Sequence, residues 1–311
     1  METNKCSNGG MTMHFNCRED IIQLTPEWKG ERFPDGRPKV PDQVLERIRR
    51  ITLEEAWGYL WSQGYKYQFQ GGFQQTNPGK TMVGRAVTTT LVPTRPDLHN
   101  YTLNFGREQE GRRGTYNQWV IDTLVEDDVI VVDLFDKIFQ GTYVGGNLST
   151  AIANRTKRGG AVIWGGIRDM EQIVKIKELQ VLHRGCDPTG IGDVVLTGFN
   201  AATRIGNATC LPGDVVMATI SGVLFIPPHL AEAVVTRAEK SHIRDVFGFT
   251  RLREGVYSTA QIDTAWTYPM MLDFVDWFAK SPETEEYRHL TWDEELEDAK
   301  KRSEGGTDVI L

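Results

Sequence analysis

The sequence predicts a layered α/β domain, and three observations carry that prediction. Strands and helices alternate between residues 129 and 182, as they do when helices pack on a sheet. The run beginning at Val129, bounded by Glu126-Asp127-Asp128 and Asp133, is apolar in the manner of a strand covered on both faces. The hydrophobic share of 40% over 311 residues is ample for a packed core.

Residues 1–44 are rich in glycine, proline and charge and read as an arm lying on a surface, with Phe33-Pro34-Asp35-Gly36 as a turn and Trp28 and Phe33 as anchors. Regular structure is expected from Pro41. Val44, Ile48 and Ile51, then Leu53, Ala56, Trp57 and Leu60, recur at helical spacing, with Thr52 as a cap between two helices. The β-branched run 80–93 reads as a strand and the polar, glycine-punctuated stretch 95–117 as a long loop. Helices over 148–157 and 170–179 flank strands at 161–164 and 181–182. Two β-like stretches follow at 191–196 and 215–226, and a helix over 230–240 closes a core spanning 45–240. The extension 241–311 carries Trp266, Tyr268, Phe274, Trp277 and Phe278, a surface that needs burial either on its own core or as a lid or subunit contact.

Charge and cysteine usage exclude several classes of function. Thirty-five basic against 42 acidic residues leave a net charge of −7, which repels a phosphate backbone and argues against nucleic acid as a partner. Cys6, Cys17, Cys186 and Cys210 lack zinc-ligand spacing and read as reduced, structural thiols. The polar first ten residues lack the apolar centre of a signal peptide, and the apolar stretch 215–228 is too short to span a bilayer. A cytoplasmic protein with no membrane partner is the expectation.

Two glycine-rich segments flank the strand 161–164. Gly145-Gly146-Asn147-Leu148 opens a helix, whose first backbone amides are free to meet a carboxylate or phosphate. Gly165-Gly166-Ile167-Arg168-Asp169 follows the end of a buried strand, where open α/β sheets place their ligands. Arg168 offers a planar fork for a carboxylate or keto oxygen, and Asp169 a hard oxygen donor for a magnesium-like ion. By themselves these two residues are equally compatible with a surface ion pair and a helix cap.

The order of these segments resembles the RraA-like family, which includes class II aldolases acting on 4-hydroxy-4-methyl-2-oxoglutarate and the regulator of ribonuclease activity A. The resemblance rests on Gly84-Arg85-Ala86-Val87-Thr88, Val144-Gly145-Gly146-Asn147-Leu148, Ala151, Asn154, Arg158-Gly159-Gly160-Ala161-Val162 and Gly165 to Asp169. Leu211-Pro212-Gly213-Asp214 and Gly222-Val223-Leu224-Phe225-Ile226-Pro227 extend it, so that it covers residues 45–240. It implies an α/β/α sandwich that assembles into homotrimers or homohexamers with sites between subunits. It also implies that Arg168 holds a pyruvate moiety, that Asp169 ligates Mg2+ or Mn2+, and that Gly145, Gly146, Asn147 and Leu148 offer amides to the substrate carboxylate.

Two departures bear on the chemistry. The family's aldolases usually carry an acid where this chain has Gly146, and often aspartates where it reads Ala218-Thr219-Ile220-Ser221. Replacement proton carriers are sought in His183, which follows a strand and can act as a general base, and in His242, Arg244, Asp245, Asp263 and Trp266 of the extension. The expected function is a divalent-metal-dependent lyase acting on a small 2-oxo or hydroxy acid, sugar-derived acids included, through a stabilised enolate. The alternatives are a non-catalytic protein-binding regulator and a metal-dependent dehydratase or decarboxylase on the same scaffold.

Overall fold

The computed structural model describes residues 17–304, and the chain divides into two compact units, Met1–Val235 and Thr236–Leu311. The division falls within the helix Ala231–Arg253.

In the first unit the β-branched run forms the strand Met82–Pro93, which organises a nine-stranded mixed sheet. On one side it pairs in parallel with Asp128–Asp133, and the parallel order continues through Gly160–Trp164 to Gln180–His183. Its other side is shared. The first half pairs antiparallel with Val215–Thr219, and the second half with Val194–Phe199, with a register shift between Thr90 and Leu91. A strand that changes partner midway across a bulge bends, and the sheet curls with it. Phe69–Gln70 and Gln74–Gln75 pair onto the two ends.

Alternation along the strands sends side chains to two faces. Val87, Ile130, Val132 and Ile163 pack with Trp119, Val120 and Ile152 of the helices Tyr116–Ile121 and Gly146–Thr156. Ala86, Val129, Val131 and Val162 face the opposite way, against a small hairpin formed by Thr203–Ile205 and Ala208–Cys210. Helices Asp42–Ile48 and Leu53–Ser62 pack against the antiparallel end of the sheet. Thr52 caps the second of these through a reciprocal pair of bonds with Glu55, as its position between two apolar periodicities predicts. The layered α/β class is therefore as expected.

Several elements differ from the sequence reading. Residues 95–117 are largely helical: Pro96–Asn104, a π-helical turn at Phe105–Gln109, and the start of Tyr116–Ile121. Pro96 sits at the first helical position, where its missing N–H costs nothing, and Thr115 with Gln118 builds a second capping box. The helix expected over 170–179 is confined to Met170–Ile173, because the chain must turn to enter the sheet at Gln180.

The arm is more than a surface strap. Its described part opens with a helix, Arg18–Leu24, and the Phe33-to-Gly36 turn closes with a 2.9 Å bond, Gly36 adopting the positive φ of 97° that favours glycine. Arg37, 2% exposed, pairs at 2.8 Å with the fully buried Asp128, and its guanidinium lies 4.7 Å from the centre of the Phe33 ring. From the core side, Arg85 Nε donates to Val40 O at 2.8 Å. Cys186 and Cys210 are free thiols, whereas Cys17 is disulfide-bonded, which corrects the expectation of reduced cysteines at that position.

The second unit has a core of its own. Phe247, Trp266, Met271, Phe274, Phe278 and Trp292 are buried together, with Phe274 and Trp292 edge to face at 4.6 Å. The aromatic residues of the extension thus pack on one another. Arg244 stacks on Trp266 at 4.3 Å, His242 lies against the ring of Tyr287, and Asp263 ends the short helix Thr259–Ile262. No described helix is long and apolar enough to cross a membrane.

Candidate active site

The two glycine-rich segments are joined by backbone hydrogen bonds. Tyr143 N donates to Gly166 O at 3.0 Å, and Arg168 N donates to Val144 O at 3.0 Å. Gly166–Ile167 pairs in turn with Gly185–Cys186, making a short parallel ladder beside the main sheet. This ladder brings Arg168 and Asp169 to the start of the helix Gly146–Thr156.

Asp169 has φ 57° and ψ 37°, a left-handed conformation that aspartate and asparagine tolerate better than most residues. It stands at the N-cap position of Met170–Ile173 but makes no side-chain cap bond to that helix. Its Oδ2 instead accepts from Gly146 N at 3.1 Å, at the positive end of the longer helix. Its Oδ1 has no protein hydrogen bond among the described residues. Arg168 Nε lies 3.7 Å from Asp169 Oδ2, and the two side chains are 45% and 34% exposed, so both reach solvent.

The glycines leave room at the turn for neighbouring side chains. A Cβ at Gly145 would overlap the Asp169 carboxylate and come within 2.9 Å of Arg168 Nε, and one at Gly146 would overlap the Gln172 side-chain oxygen. The space is used by the site residues themselves. Beyond Gly146, the amides of Asn147 and Leu148 belong to the first helical turn, where no intrahelical acceptor exists.

Together these groups line a cleft of about 290 Å³. Of the sequence-predicted residues, Gly145, Asn147, Leu148, Arg168 and Asp169 form its wall, with Gly146 tied to Asp169 directly behind. His183 is not brought to it. That imidazole is fully buried, with Nδ1 3.2 Å from Gly185 O and 3.9 Å from Cys186 Sγ, and burial lowers its pKa. A side chain at the end of a strand points to one face of the sheet only, and for His183 that is the interior.

Sequence reasoning missed Asn117, Tyr143 and Gln172 as wall residues. Gln172 was accessible to it, standing three residues after Asp169 on a helix and hence on the same side. Asn117 was hidden by the loop reading of 95–117. Its Nδ2 donates to Tyr143 O at 2.9 Å, fixing the segment that leads into the glycine turn. Tyr143 is fully buried, and burial pushes its phenol pKa well up.

No cluster of three or more histidine, cysteine, aspartate or glutamate residues suited to a metal exists among the described residues. A protein cage of the zinc or calcium kind is therefore absent from them. The donor set does fit a magnesium-like ion, which keeps most of its waters and takes one or two carboxylates plus substrate oxygens. Asp169 supplies a carboxylate oxygen with no competing protein donor, beside the neutral side-chain oxygens of Asn147 and Gln172.

A family model described as RraA-like (Aldolase/RraA) matches residues 50–225, more than half of the chain. Among solved structures, RraAS2 of Streptomyces coelicolor, described as an unusual member of the RNase ES inhibitor RraA protein family, is 21% identical with a TM-score of 0.58. That alignment covers 69% of this chain and 98% of that one. An uncharacterized protein from Pseudomonas syringae pv. tomato is 20% identical with a TM-score of 0.58, over 75% of this chain and 98% of the other. At such identities the likeness speaks to the fold alone. A search of curated proteins returns no match. The family match, the curled α/β sheet and the joined glycine segments lead to one conclusion: the chain belongs to the RraA-like family.

Proposed function

We propose that the chain is a divalent-metal-dependent carbon–carbon lyase acting on a small 2-oxo or hydroxy acid, sugar-derived acids included. The observation that carries this reading is the convergence of Arg168, Asp169 and the first amides of the helix Gly146–Thr156 on one cleft. Arg168 would hold the carboxylate or keto oxygen with its fork, and the Asn147 and Leu148 amides would meet the remaining anionic oxygen. Asp169, with Asn147 and Gln172, would hold Mg2+ or Mn2+, which when bound supplies a Lewis acid for the enolate charge.

In aldol cleavage of a 4-hydroxy-2-oxo acid the C3–C4 bond breaks and its electron pair passes to the enolate. The 4-hydroxyl proton leaves, and C3 is later protonated. The described wall holds no second carboxylate and no imidazole, so the proton passes to solvent water, which the exposure of Arg168 and Asp169 admits. Assembly into a homotrimer or homohexamer belongs to the same reading. The test is pyruvate release from a panel of 4-hydroxy-2-oxo acids by the purified chain with Mg2+ or Mn2+. Turnover that is abolished by chelation and by Asp169→Asn is expected; absence of turnover on every substrate overturns it.

The glycine at 146, where the family's aldolases usually carry an acid, favours a second reading as a non-catalytic protein-binding regulator. Metal-dependent turnover in the same panel removes it. Dehydration or decarboxylation of the same acids would appear in that panel as products other than pyruvate.

A further inference from the structure

A second cavity, of about 310 Å³, lies between the segment following the helix Arg18–Leu24 and the turn that carries Asp214. Its wall presents two carboxyl residues, Glu27 and Asp214, and three rings, Trp28, Tyr65 and His229, with no lysine or arginine among the described residues. Asp214 is 2% exposed. Its Oδ2 accepts from Leu211 N at 2.8 Å, and its Oδ1 has no hydrogen-bond partner among the described residues. Burial pushes this carboxyl up to about 8, the one opposing influence being the Leu211 amide. No cationic side chain offsets it.

Several other polar groups of the wall are already engaged: Thr25 Oγ1 accepts from Arg32 Nη1 at 2.8 Å. Tyr65 Oη and His229 Nε2 lie 3.2 Å apart, and burial lowers the His229 pKa against the opposing charge of Glu27. Gln68 donates to Phe225 O at 2.9 Å. Trp28 Nε1 donates to Glu31 O at 2.8 Å, which leaves the indole to contribute its face. The missing component is a positive charge with an apolar body: charge for a buried carboxyl that lacks a partner, body for the rings and for Pro227 and Pro228. An anion would meet two carboxyl residues, and a bare calcium ion would need six to eight oxygens that this wall does not supply.

We propose that this cavity is a binding site for a small organic cation, a primary ammonium on an apolar or aromatic body. The ammonium sits on Asp214 Oδ1, Glu27 adds charge at the rim, and the body lies against Trp28 and the two prolines.

The test is calorimetric titration of the full chain with benzylamine and with its uncharged counterpart, benzyl alcohol. At roughly pH 6.5 Asp214 is protonated, so benzylamine is expected to bind with release of about one proton, read from the dependence of the enthalpy on buffer ionisation. Benzyl alcohol is expected to bind at least about tenfold more weakly, and Asp214→Asn to weaken benzylamine by at least about tenfold. Glu27→Gln, at an exposed position, is expected to weaken it severalfold, which provides a second measure if Asp214→Asn does not fold. Equal affinity for the two probes, no binding, no proton release, or unchanged affinity in Asp214→Asn or in a folded Glu27→Gln overturns the proposal. So does loss of benzylamine binding in Asp169→Asn, which would place the amine in the other cleft.

Discussion

Asp169 has two duties that substitution can separate. It ties the helix Gly146–Thr156 to the Arg168 segment through the Gly146 N–H bond of 3.1 Å, and it offers the cleft's carboxylate. Asp169→Ala removes that bond, worth about 1 kcal/mol net, and places at φ 57° a residue without a local polar side chain, costing about 1 kcal/mol more. The sum of about 2 kcal/mol in a unit of this size corresponds to a fall in Tm of roughly 4–8 °C. Asp169→Asn keeps the shape, an acceptor for Gly146 and a residue that tolerates the left-handed conformation, so its stability should stay within about 0.5 kcal/mol of the parent. Both variants lose the charge. Titration with Mn2+ followed by paramagnetic resonance should therefore show more than about a tenfold loss of affinity in each, while thermal melts separate them. Retained Mn2+ binding in Asp169→Asn would show that the carboxylate is not the ligand. Identical melting temperatures for the two variants would refute the structural duty.

Gly145→Ala forces its Cβ against the Asp169 carboxylate, whose side chain is partly exposed and can swing away; metal affinity should fall about tenfold or more while Tm changes by only a few degrees, roughly. Arg37→Leu strands the buried Asp128 carboxylate, a loss of about 3–5 kcal/mol and roughly 6–20 °C in Tm, measurable by differential scanning calorimetry; a smaller change would show the arm to be only loosely attached. Asp214 introduces a pH dependence of known sign. Its folded pKa of about 8 exceeds the unfolded value of about 4, so its favourable contribution is complete below about pH 4 and is lost as pH rises through about 8. Urea titrations from acid to alkaline pH should show that fall in the parent and a flatter profile in Asp214→Asn; parallel profiles would contradict it.

The contrast between Asp169 and His183 shows what was legible in the sequence. The elements of the sheet follow from apolar runs with clear edges, and Thr52 with Glu55 announces its own cap. The glycine segments were legible as a pattern, adjacent glycines opening a helix and following a strand, whereas the Asp169 carboxylate that occupies the space beside Gly145 shows only in the fold. The direction of His183 was not legible, since a residue at a strand end faces core or cleft according to register, and register is fixed by neighbouring strands. Residues 95–117 were read as loop for a related reason. Their polarity is high, but Pro96 at a helix start and Thr115 with Gln118 in a capping box are local signals that outweigh the average composition.

Asp169 is more than a helix cap. An aspartate immediately before a helix ordinarily turns its side chain onto that helix's own amides. Here the left-handed backbone turns the carboxylate away from Met170–Ile173 and onto Gly146, the first residue of another helix. One oxygen then serves the junction while the other faces the cleft without a protein partner among the described residues. An ordinary cap would leave the two glycine segments joined by backbone bonds alone, and Arg168 would have no fixed anion beside it. The conformation of a single residue thus couples the order of the glycine turn to the placement of the charge. This is why Asp169→Asn, which preserves that conformation, tests the chemistry, and Asp169→Ala tests the scaffold.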